Sequence, residues 1–214
     1  SGGNYNTVVG DEAGTAITTG DKNVFVGTLA GDATTTASEN VAIGYDSLGT
    51  NILGSGSVAV GPSALRTQNY GSATNAYNTA VGMFAGYAVT TGVENTLIGG
   101  FAGDAITTGV SNVAVGYKAL TTNVDGDGLT AIGFEALENF EPSDGLRYTV
   151  AVGYQAGKAC TAGGDNVFVG GQAGLAVTDG NNNVAIGKLA LSTNVQGDRN
   201  VAVGHEALKV ANPS

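Results

Sequence analysis

The sequence predicts an all-β fold, a parallel β-solenoid or β-roll of twelve coils of about 17 residues each. Three observations predict it. A glycine that follows a short β-branched run returns twelve times, most often every 17 residues. Glycine makes up 36 of the 214 residues, more than twice its usual share of about 7%. The hydrophobic residues, 42% of the chain, are mostly Ala and Val, which suits a thin interior.

The repeated glycine, here called the anchor glycine, divides the chain into coils. Successive anchor glycines are 17 residues apart except at two places, where the spacing is 21 and then 20. Val or Ile stands directly before every anchor glycine, and Val or Thr stands two residues earlier. The anchor glycines are Gly10, Gly27, Gly44, Gly61, Gly82, Gly99, Gly116, Gly133, Gly153, Gly170, Gly187 and Gly204.

Each anchor glycine ends a segment such as NVFVG at Asn23–Gly27, which has the period of two and the β-branched residues typical of a strand. The side chains that flank the middle residue point one way, and the middle residue points the other. Identical segments in identical order predict coils related by translation and bonded along a parallel stack, at about 4.8 Å per coil. The glycine marks a corner, or a close approach of two backbones.

Four residues before the anchor glycine, nine of the twelve coils carry Asn, and the exceptions are Ser57, Leu129 and Thr149. Two explanations fit this column. The amides could form a ladder of stacked side chains along one edge of the solenoid. Alternatively, Asn could stand there only because it tolerates a turn conformation.

A longer period of four coils is superimposed on the period of 17. The residue four after the anchor glycine reads Gly, Gly, Leu, Leu in three successive groups without exception. The middle strand residue is bulky only in the second coil of each group, at Phe25, Leu97 and Phe168, and the extra residues follow every fourth coil. The predicted organisation is a four-coil block at 1–65, a connecting loop at 66–77, a block at 78–137, a loop at 138–148 and a block at 149–214.

Two arrangements of these blocks fit the sequence. All twelve coils could form a single rod about 58 Å long. Alternatively, three short rolls could pack around a pseudo-threefold axis, since eleven or twelve extended residues can carry the chain back over about 19 Å. In that intrachain pseudo-trimer, Phe25, Leu97 and Phe168 would meet near the axis.

Charge and composition exclude several classes of partner. The formal net charge is −10, so a nucleic-acid partner is not expected, because phosphate binding needs clustered Lys and Arg. No apolar run approaches the roughly 20 residues that span a bilayer, so membrane insertion is not expected either. Cys160 is the single cysteine and cannot form an intrachain disulfide.

The sequence predicts no enzyme, no cofactor and no metal site. His205, the single histidine, lies in a column that also holds Asp11, Thr28 and Phe134, a variety typical of a surface corner. Cys160 stands where related coils carry Ile or Val, which indicates a small core residue. The segment 123–128, NVDGDG, resembles the start of an EF-hand loop but lacks the Glu that such a loop needs at its twelfth position.

The segment NTAVGMFAGYAVTTGVENTLIGGFAG at Asn78–Gly103 resembles the NTAVGYQAL-type repeats of bacteriophage tail-fibre proteins. More distantly, NVAVG resembles the NSVAIG phrase in YadA-like heads of trimeric autotransporter adhesins. The resemblance covers nearly the whole chain. It implies a left-handed parallel β-roll, assembly as a homotrimer or as the intrachain pseudo-trimer, and location in a virion or at a cell surface.

We therefore expect a structural and adhesive fibre module whose partners are a host-surface glycan or protein receptor and other fibre or capsid proteins. Receptor-binding residues are expected in the connecting loops, because loops on a rigid scaffold often carry recognition and exposed aromatic rings can stack on sugars. Alternatively, these rings cap the apolar end of a four-coil block. The candidates are Tyr70, Tyr77, Phe140, Arg147 and Tyr148.

Two other functions fit the sequence. The chain could be a purely structural component of a virion or fibre. It could also be an ice- or glycan-binding solenoid, because threonine pairs recur, for example at Thr18–Thr19 and Thr90–Thr91. Those pairs occupy only the first two coils of a block, so turns and strand edges explain them as well.

Overall fold

The computed structural model describes residues 3–141 and 148–209, and these residues form an all-β parallel solenoid. Twelve strands of three residues build one long sheet, and two short strands, β4 and β6, pair separately. The strands are β1 Thr7–Val9, β2 Val24–Val26, β3 Val41–Ile43, β4 Gly54–Ser55, β5 Val58–Val60, β6 Thr74–Asn75, β7 Thr79–Val81, β8 Thr96–Ile98, β9 Val113–Val115, β10 Thr130–Ile132, β11 Val150–Val152, β12 Val167–Val169, β13 Val184–Ile186 and β14 Val201–Val203.

The twelve strands of the long sheet are parallel, and each pairs with the strand of the next coil. The pairing continues across both places where the chain carries extra residues: Val58 of β5 pairs with Thr79 of β7, and Thr130 of β10 pairs with Val150 of β11. The described residues therefore form the single rod rather than three separate rolls. Its twelve strands make a stack about 53 Å long between the first and the last.

The middle residue of each strand points into the solenoid, and the flanking residues point outward. Ala42 is fully buried, for example, whereas Ile43 is 38% exposed. The alternation predicted from the period of two is therefore confirmed. Phe25, Leu97 and Phe168 are fully buried inside their own coils, so they do not meet at a common axis.

The Gly-Gly-Leu-Leu column follows from how the interior is filled. A Cβ on Gly31 would lie 2.7 Å from the Phe25 ring, so a coil with a bulky strand residue has room only for glycine opposite it. In the third and fourth coils of a block the strand residue is Ala, and a Leu fills the interior from the opposite wall. Leu48 and Leu65 are fully buried in this way, in the left-handed conformation with φ of 51° and 48°.

The anchor glycine is a corner that also lies in contact with the next coil. Gly116 has a φ of +135°, and a Cβ there would lie 2.4 Å from the carbonyl oxygen of Gly133. Only glycine satisfies both conditions, because it lacks the Cβ and adopts a positive φ readily. The corner and the close backbone approach predicted from the sequence are both present.

The Asn column forms a buried ladder. The backbone N–H of Asn40 donates to Oδ1 of Asn23 at 3.0 Å, and the Nδ2 of Asn40 donates to the carbonyl oxygen of Gly54 at 2.8 Å. The left-handed residue at this edge is the one before each Asn, such as Glu39 with a φ of 62°. The hydrogen bonds made by the side-chain amides, rather than tolerance of a turn conformation, therefore explain why Asn recurs in this column.

Where Ser57 replaces Asn, a side chain of the first connecting loop supplies the missing hydrogen bonds of the ladder. Ser57 stands in the column, and the side chain of Gln68 enters the interior, where its Nε2 donates to the Ser57 hydroxyl at 3.1 Å. The Nδ2 of Asn78 then donates to Oε1 of Gln68 at 2.9 Å. In the second loop the equivalent pair is apolar, because Leu129 and Phe140 both belong to the buried core. In each loop, the residue that enters the interior matches the polarity of the residue in the ladder column: Gln68 lies against Ser57, and Phe140 is the counterpart of Leu129.

Candidate functional site: the tyrosine edge

Tyr70 lies in the interior rather than on the surface. Its ring is 6% exposed and packs where a Cβ on Gly54 would stand. Its hydroxyl donates to the carbonyl oxygen of Gly92 at 2.8 Å and accepts from Nδ2 of Asn78 at 3.3 Å. Burial raises the pKa of Tyr70 to about 12. The expectation of a surface ring is therefore wrong for Tyr70, because the ring fills the enlarged fourth coil.

The prediction that Phe140 binds a receptor is also wrong. Its side chain is fully buried in the hydrophobic core, so it does not reach a receptor directly. Tyr70 and Phe140 do not cap the end of a separate four-coil block either, because the sheet continues across both loops. Both rings fill the interior of the continuous stack. Arg147, a further candidate, lies outside the described residues.

Tyr77 and Tyr148 are exposed, at 58% and 62%. Each ends its connecting loop directly before the ladder position. Each ring also lies over a glycine of the preceding coil, since a Cβ on Gly56 would be 3.0 Å from Tyr77 and a Cβ on Gly128 would be 2.9 Å from Tyr148. The two tyrosines occupy the same place in the fold, four coils or about 19 Å apart along the stack.

Tyr5 is a third member of this column and was not among the sequence candidates. It directly precedes Asn6 in the first coil and is 86% exposed. The signal was present in the sequence, because residues 5, 77 and 148 each stand five residues before the anchor glycine of a block's first coil. We call the column of residues that precede the ladder position the tyrosine edge.

Between Tyr77 and Tyr148 the tyrosine edge is polar and small. Glu94, Ser111 and Gly128 occupy the intervening coils, and the Ser111 hydroxyl donates to a carboxylate oxygen of Glu94 at 3.1 Å. Near Tyr5, Nζ of Lys22 pairs with Glu39 at 3.0 Å, which raises the pKa of Lys22. The edge therefore presents aromatic rings separated by hydrogen-bonding groups.

A second exposed surface is apolar. The first and third residues of the twelve long-sheet strands point outward, and every one of them is Val, Ile or Thr. We call this surface the outer face. Ile98 and Ile132, each 38% exposed, lie near its middle. The outer face carries no charged side chain along its whole length, although the chain has a net charge of −10.

A row of aromatic rings lies near the outer face, in the residues after the anchor glycine. Neighbouring ring centroids are 5.3 to 6.0 Å apart, and Phe134 and Tyr154 are stacked with an angle of 7° between their planes. Phe134 is stacked on both Tyr117 and Tyr154, so both faces of its ring are covered, whereas the contacts of Phe84 with Tyr87 and of Phe101 with Tyr117 are edge to face. The aromatic ladder comprises Tyr87, Phe84, Phe101, Tyr117, Phe134 and Tyr154.

The first residue of each threonine pair bonds to the backbone of the next coil. The Thr18 hydroxyl donates to the carbonyl oxygen of Thr35 at 3.1 Å, and the Thr90 hydroxyl donates to that of Thr107, also at 3.1 Å. These hydroxyls therefore hold adjacent coils together. A hydroxyl bonded in this way is less available to order water at an ice surface.

Ion pairs connect the coils on both sides of the connecting loops. Arg66 pairs with Asp46 at the first loop, and Lys158 pairs with Glu135 and with Glu138 at the second. The hydrogen bond from Lys158 lowers the pKa of Glu135. These pairs are partly exposed and fasten coils together; pairs of this kind contribute modestly to stability.

Cys160 and His205 lie in different environments. Cys160 is buried, its thiol donates to the carbonyl oxygen of Gly163 at 3.2 Å, and burial raises its pKa to about 12. His205 is exposed. Among residues 3–141 and 148–209, no group of three or more His, Cys, Asp or Glu side chains is placed to hold a metal ion. The same residues include no helix that is apolar and long enough to cross a membrane.

The fold and the repeat define a parallel β-solenoid repeat protein. Comparison with known protein families, with curated proteins and with solved structures gave no match in any of the three.

Proposed function

We propose that the chain is a non-enzymatic structural and adhesive module of a fibre, in a bacteriophage tail fibre or a bacterial surface adhesin. It binds a receptor on the host surface through its tyrosine edge. The observation that carries the proposal is the return of Tyr77 and Tyr148, four coils apart, at the same exposed place in the fold. The module acts in a virion or at a cell surface, joined to other fibre or capsid proteins.

The long sheet supports a binding role because it fixes the spacing of the exposed residues. Each strand pairs in register with its neighbours, including Val58 with Thr79 across the first connecting loop. Recognition residues held on a rigid scaffold lose little conformational freedom when they bind. Two equivalent sites on one stack also bind a repeating ligand more tightly than either site alone.

A neutral glycan fits the chemistry of the edge best. A tyrosine ring that lies on glycine keeps its other face open for the apolar face of a sugar ring. Exposed polar side chains nearby, Asn75 beside Tyr77 in sequence and Glu94 in the next coil, supply hydrogen-bonding groups for sugar hydroxyls. The net charge of −10 disfavours acidic sugars and favours neutral ones.

A glycan array and a host-cell binding assay test the proposal. The double variant Tyr77→Ala, Tyr148→Ala is expected to weaken binding by about tenfold or more, if each ring contributes roughly 1 kcal/mol. The matched control is the double variant Tyr45→Ala, Tyr154→Ala, which removes two tyrosines of similar exposure, 56% and 54%, outside the tyrosine edge. The control should bind like the parent chain. Equal losses in both variants, or no binding of the parent chain to glycans or cells, would contradict the proposal.

The second candidate is a purely structural component of a virion or fibre. It is favoured by Tyr70 and Phe140, because the connecting loops use these rings to fill the solenoid. Such a component would assemble into fibres or particles and leave host cells unbound. Ice binding is a third candidate and is less well supported, since the Thr18 and Thr90 hydroxyls already donate to carbonyl oxygens. A thermal-hysteresis measurement tests it directly.

A further inference from the structure

We propose that the tyrosine edge takes a neutral linear polysaccharide, which lies parallel to the stack and contacts Tyr5, Tyr77 and Tyr148 at once. The inference rests on the proposed function, because it takes glycan recognition at this edge as given. It adds the class of glycan, its direction on the protein and its minimum length. It stands on the conformation of the tyrosines, the hydrogen bonds that fix their spacing and the residues between them.

The tyrosines occupy positions that are unfavourable for a large side chain. Tyr5 and Tyr77 have φ of 60° and 50°, in the left-handed region. A bulky residue is rarely found there, and strained residues of this kind cluster at ligand-binding sites. Gly56 and Gly128, the edge residues of the coils before Tyr77 and Tyr148, carry no side chain and so leave room for the two rings. The chain thus keeps an exposed ring where a smaller residue is favoured.

Hydrogen bonds between coils run along the edge itself and fix the spacing of the rings. The backbone N–H of Glu94 donates to the carbonyl oxygen of Ala76 at 2.8 Å, and the N–H of Ser111 donates to that of Val93 at 3.0 Å. Each acceptor directly precedes an edge residue, so one step along the edge is one coil, about 4.8 Å. The three tyrosines, which are four coils apart in turn, therefore span about 38 Å.

This spacing determines the direction and the length of the glycan. A single sugar reaches only one ring, because neighbouring rings are about 19 Å apart. A glycan that contacts all three rings is extended along the edge and is at least about 38 Å long. Between Tyr77 and Tyr148 it passes Glu94, Ser111 and Gly128, which carry hydrogen-bonding groups or no side chain. Because the edge continues on both sides of Tyr77, the contacts are with the interior of a polymer rather than with its end.

Charge and multivalency favour a neutral polymer over an acidic polymer or a short glycan. Exposed carboxylates lie on the edge at Glu39, Glu94 and Asp165, and they disfavour an acidic chain. Once one ring is engaged, contact with the second and the third is intramolecular. Three weak contacts therefore bind one long molecule far more tightly than a single contact binds a short fragment.

The first experiment is a calorimetric titration of the parent chain with neutral linear glucans, mannans and galactans, each as size-fractionated fragments and as polymer. In the series that binds, short fragments should occupy three sites on each chain. Affinity should rise by about tenfold or more once the fragments exceed about 19 Å, and again beyond about 38 Å, where one molecule occupies the whole edge. An affinity that does not depend on length would overturn the polymer proposal and leave glycan recognition standing. Binding of no fraction at any length would overturn the proposed function as well.

Single variants then separate the three rings. Tyr77→Ala should weaken polymer binding by about tenfold or more, whereas short fragments should keep their affinity and lose only one of their three sites. Tyr5→Ala and Tyr148→Ala should behave in the same way. The matched control, Tyr45→Ala, removes a ring of similar exposure to Tyr77, 56% against 58%, away from the edge, and should change neither affinity nor stoichiometry. Loss of all short-fragment binding in Tyr77→Ala, or the same loss of polymer binding in the control, would overturn the proposal.

Discussion

A Cβ on Gly174 would lie 2.4 Å from Cδ1 of Phe168, so the ring and the missing side chain occupy the same space. The same relationship joins Phe25 to Gly31, at 2.7 Å. The glycine of each block's first coil lies against the same bulky residue: a Cβ on Gly14 would be 3.0 Å from the Phe25 ring, and a Cβ on Gly157 would be 2.7 Å from the Phe168 ring. One bulky strand residue thus fills the space opposite two glycines, whereas in the third and fourth coils, where the strand residue is Ala, a Leu fills the interior from the opposite wall.

This complementarity predicts a rescue. Phe168→Ala leaves a cavity and is expected to lower the free energy of unfolding by about 3–5 kcal/mol. Gly174→Leu alone is also destabilising, because the new side chain meets the Phe168 ring. The double variant should be more stable than the sum of the two losses predicts, since Leu in the left-handed conformation already fills equivalent coils at Leu48 and Leu65. Urea unfolding of the four proteins measures the coupling, and strictly additive losses would contradict the packing relationship.

The anchor glycine gives a second prediction. Gly116→Val should lower the free energy of unfolding by more than about 1 kcal/mol, because a Cβ would approach the Gly133 carbonyl oxygen and the residue would keep a positive φ. Gly71→Val is the control, since a Cβ at Gly71 meets nothing within 4 Å. Urea midpoints compare the two variants. An unchanged urea midpoint for Gly116→Val would contradict the positive φ and the close contact with Gly133 at this corner.

The Asn ladder gives a third prediction. Oδ1 of Asn95 accepts from the backbone N–H of Asn112 at 3.0 Å, and its Nδ2 donates to the carbonyl oxygen of Gly109 at 2.9 Å. Asn95→Ala leaves both buried groups without these partners and should lower the free energy of unfolding by about 2–5 kcal/mol. Asn75→Ala changes an exposed Asn and should have little effect. Hydrogen exchange at the Asn112 amide offers a local readout: protection that survives Asn95→Ala would argue against the ladder.

Tyr70 gives a prediction about pH. Burial raises its pKa to about 12, above the ordinary value of 10.0. The folded state therefore disfavours the phenolate: the stability that the protonated Tyr70 contributes is present below pH 10 and is lost as the pH rises toward 12. Between pH 10 and pH 12, the urea midpoint of unfolding should fall less steeply for Tyr70→Phe than for the parent chain. Tyr77→Phe, at an exposed position, should follow the parent chain, and parallel curves for all three proteins would show that Tyr70 is not buried.

The architecture could be predicted because every coil meets nearly the same environment and so repeats nearly the same residues. The choice between the rod and the pseudo-trimer could not be predicted. A loop of eleven or twelve residues can carry the chain back to start a new roll, or it can widen one coil of a continuous stack. The pairing of Val58 with Thr79 resolves it, and that is a contact between backbones which the side-chain pattern does not encode.

The site was predicted less well for a related reason. Tyr70 and Tyr77 lie seven residues apart in one connecting loop, and their chemistry is the same. Their positions in the coil differ, because Tyr77 shares its phase with Tyr5 and Tyr148, whereas Tyr70 enters a coil widened by the extra residues. Aligning the coils by their distance from the anchor glycine would have separated the exposed ring from the buried one.

The four-coil pattern of interior packing also determines the unit in which the length of this chain can change during evolution. Where one block meets the next, Leu65 packs toward Gly86, and Leu137 packs toward Gly157, with the same 2.9 Å from the leucine methyl to a Cβ built on the glycine. Loss or duplication of a whole four-coil block preserves that joint, whereas loss of a first or second coil alone would separate a bulky strand residue from one of the two glycines that lie against it. Recombination should therefore lengthen or shorten such a protein in steps of about 71 residues, the spacing of the blocks in this sequence.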